Sequence, residues 1–156
     1  CYEKFMEDDD VYYISEHRRS YDNELETENI IHENADFTLI PFSVTRFNAI
    51  EAQRILEAKG YKINIIHQLW IKPFELKNNW LIAINNSMYG GLVLDDDYEE
   101  GVASSIAHTI MIKSEKKIYT QCIKPRSAGF HEKVDNLPPS VNEIINNVEA
   151  IIKNGK

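Results

Sequence analysis

The spacing of apolar residues divides the chain into short apolar runs and longer amphipathic stretches. Phe37 to Phe42 is a compact apolar run containing Thr38, a strand signature. The residues that follow run helically to Lys59, with Ser43 or Thr45 available as a cap. Gly60 stands where a helix wants a left-handed C-terminal residue. Ile63, Ile65 and Ile66 form a second β-branched run, closed by Lys72-Pro73. A strand, a helix and a strand within about 35 residues predict a βαβ unit, and hence parallel strands.

The same reading extends in both directions. Trp80, Leu81, Ala83 and Ile84 have helical spacing and predict a short helix within Glu75 to Asn86. Gly90-Gly91 breaks the chain before Leu92-Val93-Leu94, a third strand buried on both faces, which ends in Asp95-Asp96-Asp97. Val102, Ala103, Ile106, Ile110 and Met111 make the stripe of a further helix. Lys117 to Ile123 predicts a fourth strand, and Lys124 to Asn136 a loop. Pro138-Pro139-Ser140 launches a last helix with a clean stripe of Val141, Ile144, Ile145, Val148, Ile151 and Ile152. Upstream, residues 1–10 read as the end of a helix broken by Asp8-Asp9-Asp10, and Val11-Tyr12-Tyr13-Ile14 as a compact strand. Ser15 to Ala35 is charged and aperiodic, so it reads as a surface connector and domain boundary.

Composition narrows the class. The 156 residues suffice for one domain plus an appendage, and 43% hydrophobic with 27% charged residues is ordinary for a globular protein. A formal charge of −8 argues against nucleic acid or an anionic membrane as the main partner, because both require a basic face. No apolar run approaches the ~20 residues that span a bilayer, and the acidic N-terminus is unlike a secretory leader. The two cysteines, Cys1 and Cys122, suit a reducing cytoplasm and provide no disulfide framework. A start at Cys1, without Met, suggests a piece of a longer chain.

Candidate chemistry is sparse. Gly90-Gly91 precedes a strand, whereas a phosphate cradle follows one. There is no nucleophile elbow and no zinc spacing. The five histidines, His17, His32, His67, His108 and His131, are scattered. His67 stands at the end of a strand, where open α/β sheets bind ligands. His108 lies near a helix stripe and reads as a packed or surface residue. The acidic runs Asp8 to Asp10 and Asp95 to Asp97, with Glu99 and Glu100, read as solvated turns or as oxygen donors for a hard cation. No base with an orienting partner and an oxyanion donor can be assembled, so the residues describe an α/β domain without its own active site.

The stretch from Asp36 to Glu75 resembles, without a gap, the C-terminal transketolase-like domain of thiamine-diphosphate enzymes, and most closely the β subunit of 2-oxoacid dehydrogenase E1 components. The likeness rests on Asp36-Phe37-Thr38-Leu39, Ser43, Ala49-Ile50-Glu51-Ala52, Leu56, Gly60, Ile65-Ile66 and Lys72-Pro73-Phe74. Further pieces are Leu92-Val93-Leu94-Asp95, Gly101-Val102-Ala103-Ser104-Ser105-Ile106, the terminal helix, and Glu16-His17 to Tyr21 upstream. The chain departs from the family at His67-Gln68-Leu69, which replaces Asp-Leu-Arg, and at Ser105, which replaces a glutamate. Lys117 to Ile123 also lacks the acidic residue that E1β can use in docking its core, which marks a divergent homologue.

The resemblance implies a three-layer α/β/α fold with a mixed five-stranded sheet. It implies residues 1–14 as the tail of a pyrimidine-binding domain, 15–35 as a linker and 36–153 as the transketolase C-terminal-like domain. In such enzymes thiamine diphosphate and magnesium sit on other domains, so the fragment is expected to bind neither and to be inactive alone. Its expected role is as a scaffold within a homodimer or an α/β heterotetramer that can dock an acyltransferase core. A transketolase, a deoxyxylulose-phosphate synthase and a non-enzymatic dimerisation module are the alternative parents or roles. The family can also hold potassium at its N-terminal helix end. The corresponding donors here would be the carbonyls of Phe5 and Met6 and the carboxylates of Asp8 and Asp10.

Overall fold

A computed structural model describes residues 1–7, 9–17, 21, 27–127, 129 and 136–155. Helix α1 covers Tyr2–Glu7, strand β1 Phe37–Pro41, helix α2 Thr45–Ala58 and strand β2 Ile63–Ile65. Helix α3 covers Asn78–Asn85, strand β3 Gly91–Tyr98, helix α4 Val102–Ser114, strand β4 Ile118–Ile123 and helix α5 Val141–Asn154. The strands form one parallel sheet in the order β2-β1-β3-β4. The expected βαβ unit is present as β1-α2-β2, with Phe37 opposite Ile63 and Leu39 opposite Ile65.

Side-chain alternation along the strands builds three layers. Phe37, Leu39, Ile63, Ile65, Leu92 and Leu94 point to one face and pack against α2 and α5 through Ala49, Ala52, Leu56, Ile144, Ile145, Val148 and Ile152. Ile40, Phe42, Ile66 and Val93 point to the other face and meet α3 and α4 through Trp80, Ile84, Ala103, Ile106 and Ile110. Both faces of the strands are covered, which is why their sequence reads as continuous apolar runs. The stripe of α5 buries Ile144, Ile145, Val148 and Ile152, each contributing about 1.5–3 kcal/mol by leaving water.

The helix ends follow local chemistry. Helix α5 begins in a capping box: Ser140 Oγ accepts from the Glu143 amide at 3.3 Å, and the Glu143 carboxylate accepts from the Ser140 amide at 3.0 Å. Helix α2 ends with Gly60 at φ 94°, where the Gly60 amide donates to Glu57 O (2.9 Å) and the Tyr61 amide to Leu56 O (3.1 Å). This pairing closes the orphan carbonyls of the last turn. At the start of α2, neither Ser43 nor Thr45 caps. Val44 holds that position without a side-chain cap, because Thr45 is turned inward to the carbonyls of Phe42 and Leu94.

One polar knot lies inside the apolar frame. Thr38, Asn64 and Ser87 are fully buried on the face that packs on α3. Asn64 Nδ2 donates to Thr38 Oγ1 at 3.2 Å, Ser87 Oγ donates to Ala83 O at 3.0 Å, and the Thr38 and Ser87 hydroxyls meet at 2.5 Å. Asn64 Oδ1 accepts from the His32 amide at 2.8 Å, which ties the upstream connector to the sheet. The side chains of Thr38, Asn64 and Ser87 are thereby paired with one another and with backbone, as a low-dielectric interior requires.

Three expectations change in detail. The sheet has four parallel strands among the described residues, where five in a mixed sheet were expected. The antiparallel component is a single bridge between Ile30 and Ile65 on the outer edge of β2. Val11 to Ile14 form no strand, and Val11 and Tyr13 are almost fully exposed. β-propensity is a preference for a pleated, half-buried surface, and these residues have no sheet to join. The aspartates do not terminate β3 in a solvated turn. The strand continues to Tyr98, and Asp95 to Asp97 occupy a register shift against β4 between Leu94 and Tyr98. Among the described residues no helix is long and apolar enough to cross a membrane.

Candidate functional site

The strand order sets where a ligand would bind. The chain leaves β1 through α2 for β2 on one side, while β3 lies on the other side of β1. The topological switch point is therefore the crevice between the carboxyl ends of β1 and β3. That crevice is laced by its own groups. The Phe42 amide donates to Leu94 O at 2.9 Å, and Thr45 Oγ1 reaches the same carbonyl at 3.1 Å. Ser43, in the left-handed region at φ 44°, donates its hydroxyl to Asp96 Oδ2 at 3.0 Å.

The electrostatics of this edge are acidic. Asp95 is buried, and burial pushes its carboxyl up to about 6, with the charge of Asp96 adding to the rise. Cys122 on β4 is half-buried. Burial pushes its thiol up to about 12, followed by the charges of Asp95, Glu99, Asp97 and Glu100. At neutral pH it stays a thiol and is no nucleophile. A diphosphate does not fit this edge: its phosphates would face Asp95, Asp96 and Asp97 where a phosphate site presents amides and cations.

A second concavity lies at the carboxyl end of β2. It is a pocket of about 230 Å³ whose lining includes Thr27, Asn29, Arg46, His67, Gln68, Trp70 and Trp80. The His67 amide donates to Asn29 Oδ1 at 2.7 Å, and its Nδ1 accepts from Arg46 Nε at 3.2 Å. Burial first, and then the Arg46 charge, lower the imidazole to about 4, so it is neutral at pH 7. With Nδ1 accepting, Nε2 carries the hydrogen. Gln68 donates through Nε2 to Trp70 O and through its amide to Pro41 O at 3.2 Å. Among the described residues His67 Nε2 and Gln68 Oε1 are buried without a well-formed hydrogen bond, although a hydrogen bond between the imidazole and the Glu28 backbone opposes the fall in its pKa.

Another cavity, of about 410 Å³, opens between the first turns of α2 and α5 and Lys124. Its polar groups are largely paired with one another. Asn48 donates to Pro139 O at 2.8 Å, Asn136 to Lys124 O at 2.8 Å, and Lys124 meets Glu143 at 3.6 Å.

The residues singled out from sequence fall in different places. Phe5 and Met6 lie in α1, whose last carbonyls lack helical partners, and both side chains are exposed. Asp10 is exposed, and Asp8 and His131 lie outside the described residues. Among the described residues no group of three or more His, Cys, Asp or Glu is arranged to hold a metal. His108 is exposed on α4, and His32 pairs with Glu57 at 2.7 Å. Among the described residues, His67 is the histidine that lines one of these two cavities. Its companions Arg46 and Asn29 carry no sequence signal, because they lie 21 and 38 positions away and only the fold joins them.

No protein-family model matches the chain. Two curated relatives are β subunits of the pyruvate dehydrogenase E1 component. That of Mesostigma viride is 26% identical over 93 residues, 58% of this chain and 27% of its own length. That of Chlorokybus atmophyticus is 32% identical over 53 residues, 34% of this chain and 16% of its own length. A solved structure described as a split-gene transketolase, an inactive β4 tetramer, superposes with a TM-score of 0.64 at 14% identity, covering 83% of this chain and 43% of its own. This chain has the transketolase C-terminal fold, and its sequence likeness is to E1β. The 2-oxoglutarate:ferredoxin oxidoreductase of Magnetococcus marinus shares the fold more distantly, with a TM-score of 0.58 at 20% identity over 86% of this chain and 21% of that one. The matched stretches thus span about a quarter or less of the curated relatives' length.

Proposed function

We propose that this chain is the C-terminal scaffold and partner-docking domain of a thiamine-diphosphate-dependent 2-oxoacid dehydrogenase of the E1β type, and that it carries no catalysis of its own. The observation behind the reading is a likeness to E1β subunits joined to a transketolase-like fold whose switch-point crevice is closed by its own hydrogen bonds. On this reading residues 1–14 are the tail of a pyrimidine-binding domain, 15–35 the linker and 36–153 the C-terminal domain. Thiamine diphosphate and magnesium belong to the other domains of the parent enzyme. A cytoplasmic setting, and a potassium-like ion on Phe5, Met6, Asp8 and Asp10, are parts of the same proposal.

The docking role draws support from the exposed apolar side chains of Tyr2, Phe5, Met6, Val11 and Tyr13, and of Leu69 and Ile71 after β2. The two segments touch, because the Trp70 ring meets Tyr12 edge-on at 6.0 Å and Lys4 Nζ at 5.2 Å. Such a surface suits cover by another domain or chain in a homodimer or an α/β heterotetramer, with an acyltransferase core as a further partner. A second reading, the C-terminal domain of a transketolase or a deoxyxylulose-phosphate synthase, draws on the likeness to the split-gene transketolase. Calorimetric titration with thiamine diphosphate and magnesium tests the first part: no binding and no 2-oxoacid turnover are expected, and tight binding overturns it. Sedimentation tests the docking role, and a strict monomer that captures no E1α-type subunit counts against it.

A further inference from the structure

The connector upstream of β1 is tied to the sheet by side chains more than by backbone. Ile30 and Ile65 form an antiparallel bridge on the outer edge of β2. The Ile30 amide donates to Ile65 O at 2.9 Å, and the Ile65 amide to Ile30 O at 2.8 Å. In that register Glu28 lies opposite His67, and His32 opposite Ile63. A regular ladder would continue from the His67 amide to Glu28 O and from the His32 amide to Ile63 O. Two asparagines take those bonds instead. The His67 amide donates to Asn29 Oδ1 at 2.7 Å, and the His32 amide to Asn64 Oδ1 at 2.8 Å. The ladder therefore stops after one bridge. Side chains complete the attachment. The His67 imidazole bonds to the Glu28 backbone and accepts from Arg46 Nε at 3.2 Å, Arg46 Nη2 donates to Thr27 Oγ1, and His32 Nε2 meets Glu57 at 2.7 Å.

We propose that Thr27 to His32 is a releasable strap. It leaves the outer edge of β2 as a unit while the four-stranded sheet stays folded, which uncovers that edge and lets the segment upstream reorient. The burial of the two partners differs in the way such a device needs. Within the strap, Ile30 is the apolar side chain packed against a core cluster, and it is only partly buried. Glu28, Asn29 and Ile31 are exposed. Strand β2 is held independently of the strap: it pairs with β1 along its length, and Ile63 and Ile65 are fully buried. A segment fixed by hydrogen bonds at the surface and one half-buried side chain opens at lower free energy than the core beneath it. Because Asn29 and Asn64 end the ladder on either side of the bridge, opening breaks one bridge and no longer run of backbone pairing. His67 is the latch, since Glu28, Asn29 and, through Arg46, Thr27 are all held through it.

The test is native-state hydrogen exchange, read by NMR on the full 156-residue chain at increasing sub-denaturing urea. The Ile30 and Ile65 amides are bonded across the bridge and report the strap. The Leu39 and Leu92 amides, on the two central strands, report the sheet. Corrected for intrinsic rates, Ile30 and Ile65 are expected to exchange together and at least about tenfold faster than Leu39 and Leu92. Their rates should hardly respond to urea, because a local opening exposes little surface. Asn29→Ala removes the acceptor of the His67 amide and should speed Ile30 and Ile65 about tenfold, with the Leu39 and Leu92 rates and the urea midpoint unchanged. The proposal is overturned if Ile30 or Ile65 follows the rate and urea dependence of Leu39 and Leu92, since the strap is then an integral part of the fold. It is overturned equally if both amides exchange at the rate of an unprotected chain, since nothing is then docked. The comparison of amides in the unmodified chain decides the matter even if the variant fails to fold.

Discussion

Two glycines share a backbone conformation but differ in surroundings, and this makes a controlled test of the sheet's closest approach. Gly60 has φ 94° and open space where a Cβ would stand. Gly90 has φ 85°, but a Cβ there would lie 2.0 Å from Lys117 O, a backbone atom. Replacing either by alanine carries the left-handed cost of about 1–2 kcal/mol. At Gly60 that is the whole effect. At Gly90 the chain must also part from Lys117 by about 1.5 Å to restore van der Waals distance. That movement strains the bond from the Gly91 amide to Lys117 O (3.1 Å) and the bond from the Thr38 amide to Gly90 O (3.0 Å). Losing one of them adds about 1–3 kcal/mol. We therefore expect Gly60→Ala to lose about 1–2 kcal/mol and Gly90→Ala about 3–4 kcal/mol. For a domain of this size the corresponding Tm losses are about 4 °C and about 12 °C. Urea unfolding followed by circular dichroism measures both, with equal m-values showing that stability alone has changed. Losses that agree within about 0.5 kcal/mol would refute the close approach of β3 to the start of β4.

Other outcomes follow from the helix cap and the buried acid. Ser140→Ala removes the hydroxyl that accepts from Glu143 N and should cost about 1 kcal/mol at pH 7. The bonds from Ser140 hold the Glu143 carboxyl below its usual range, so their stabilisation is present above the unfolded carboxylate pKa and is lost as pH falls through the lower folded value. The gap between wild type and Ser140→Ala should accordingly shrink in acid, as read by urea midpoints at pH 7 and pH 3. Asp95 has the opposite sign. Its folded value of about 6 lies above the unfolded one, so its contribution is favourable below the unfolded pKa and is lost as pH rises through about 6. Asp95→Asn should therefore be more stable than wild type at pH 7 and level with it near pH 3. A constant difference across that range would mean that the carboxyl does not titrate in the fold.

Much of the frame was legible in the residues. The run Phe37 to Phe42, the stripe of α2, Gly60 and the run Ile63 to Ile66 each carry a local signal, and together they announce the parallel unit that the structure contains. The stripe of α5 and its Ser140 start were equally plain. The misreadings have a common cause. Val11 to Ile14 carry strand propensity, but a strand also needs neighbours, and propensity does not state whether any are present. Asp95 to Asp97 look like a wet turn because their charges suggest water. The third strand nevertheless carries them onward beside β4, and Asp95 ends up buried.

The sequence by itself determined what depends on neighbours a few positions apart: periodicity, caps, and the glycine that closes α2. It also marked His67 as standing at a strand end. Only the tertiary structure decided what His67 does there, because Arg46 and Asn29 reach it from distant parts of the chain. Nothing local marks Asn64 either as the donor that joins β2, β1 and the turn after α3. Hydrogen bonds act over about 3 Å in space and are indifferent to separation along the chain. A pocket built from distant residues therefore exists only once the sheet and its helices have brought them together.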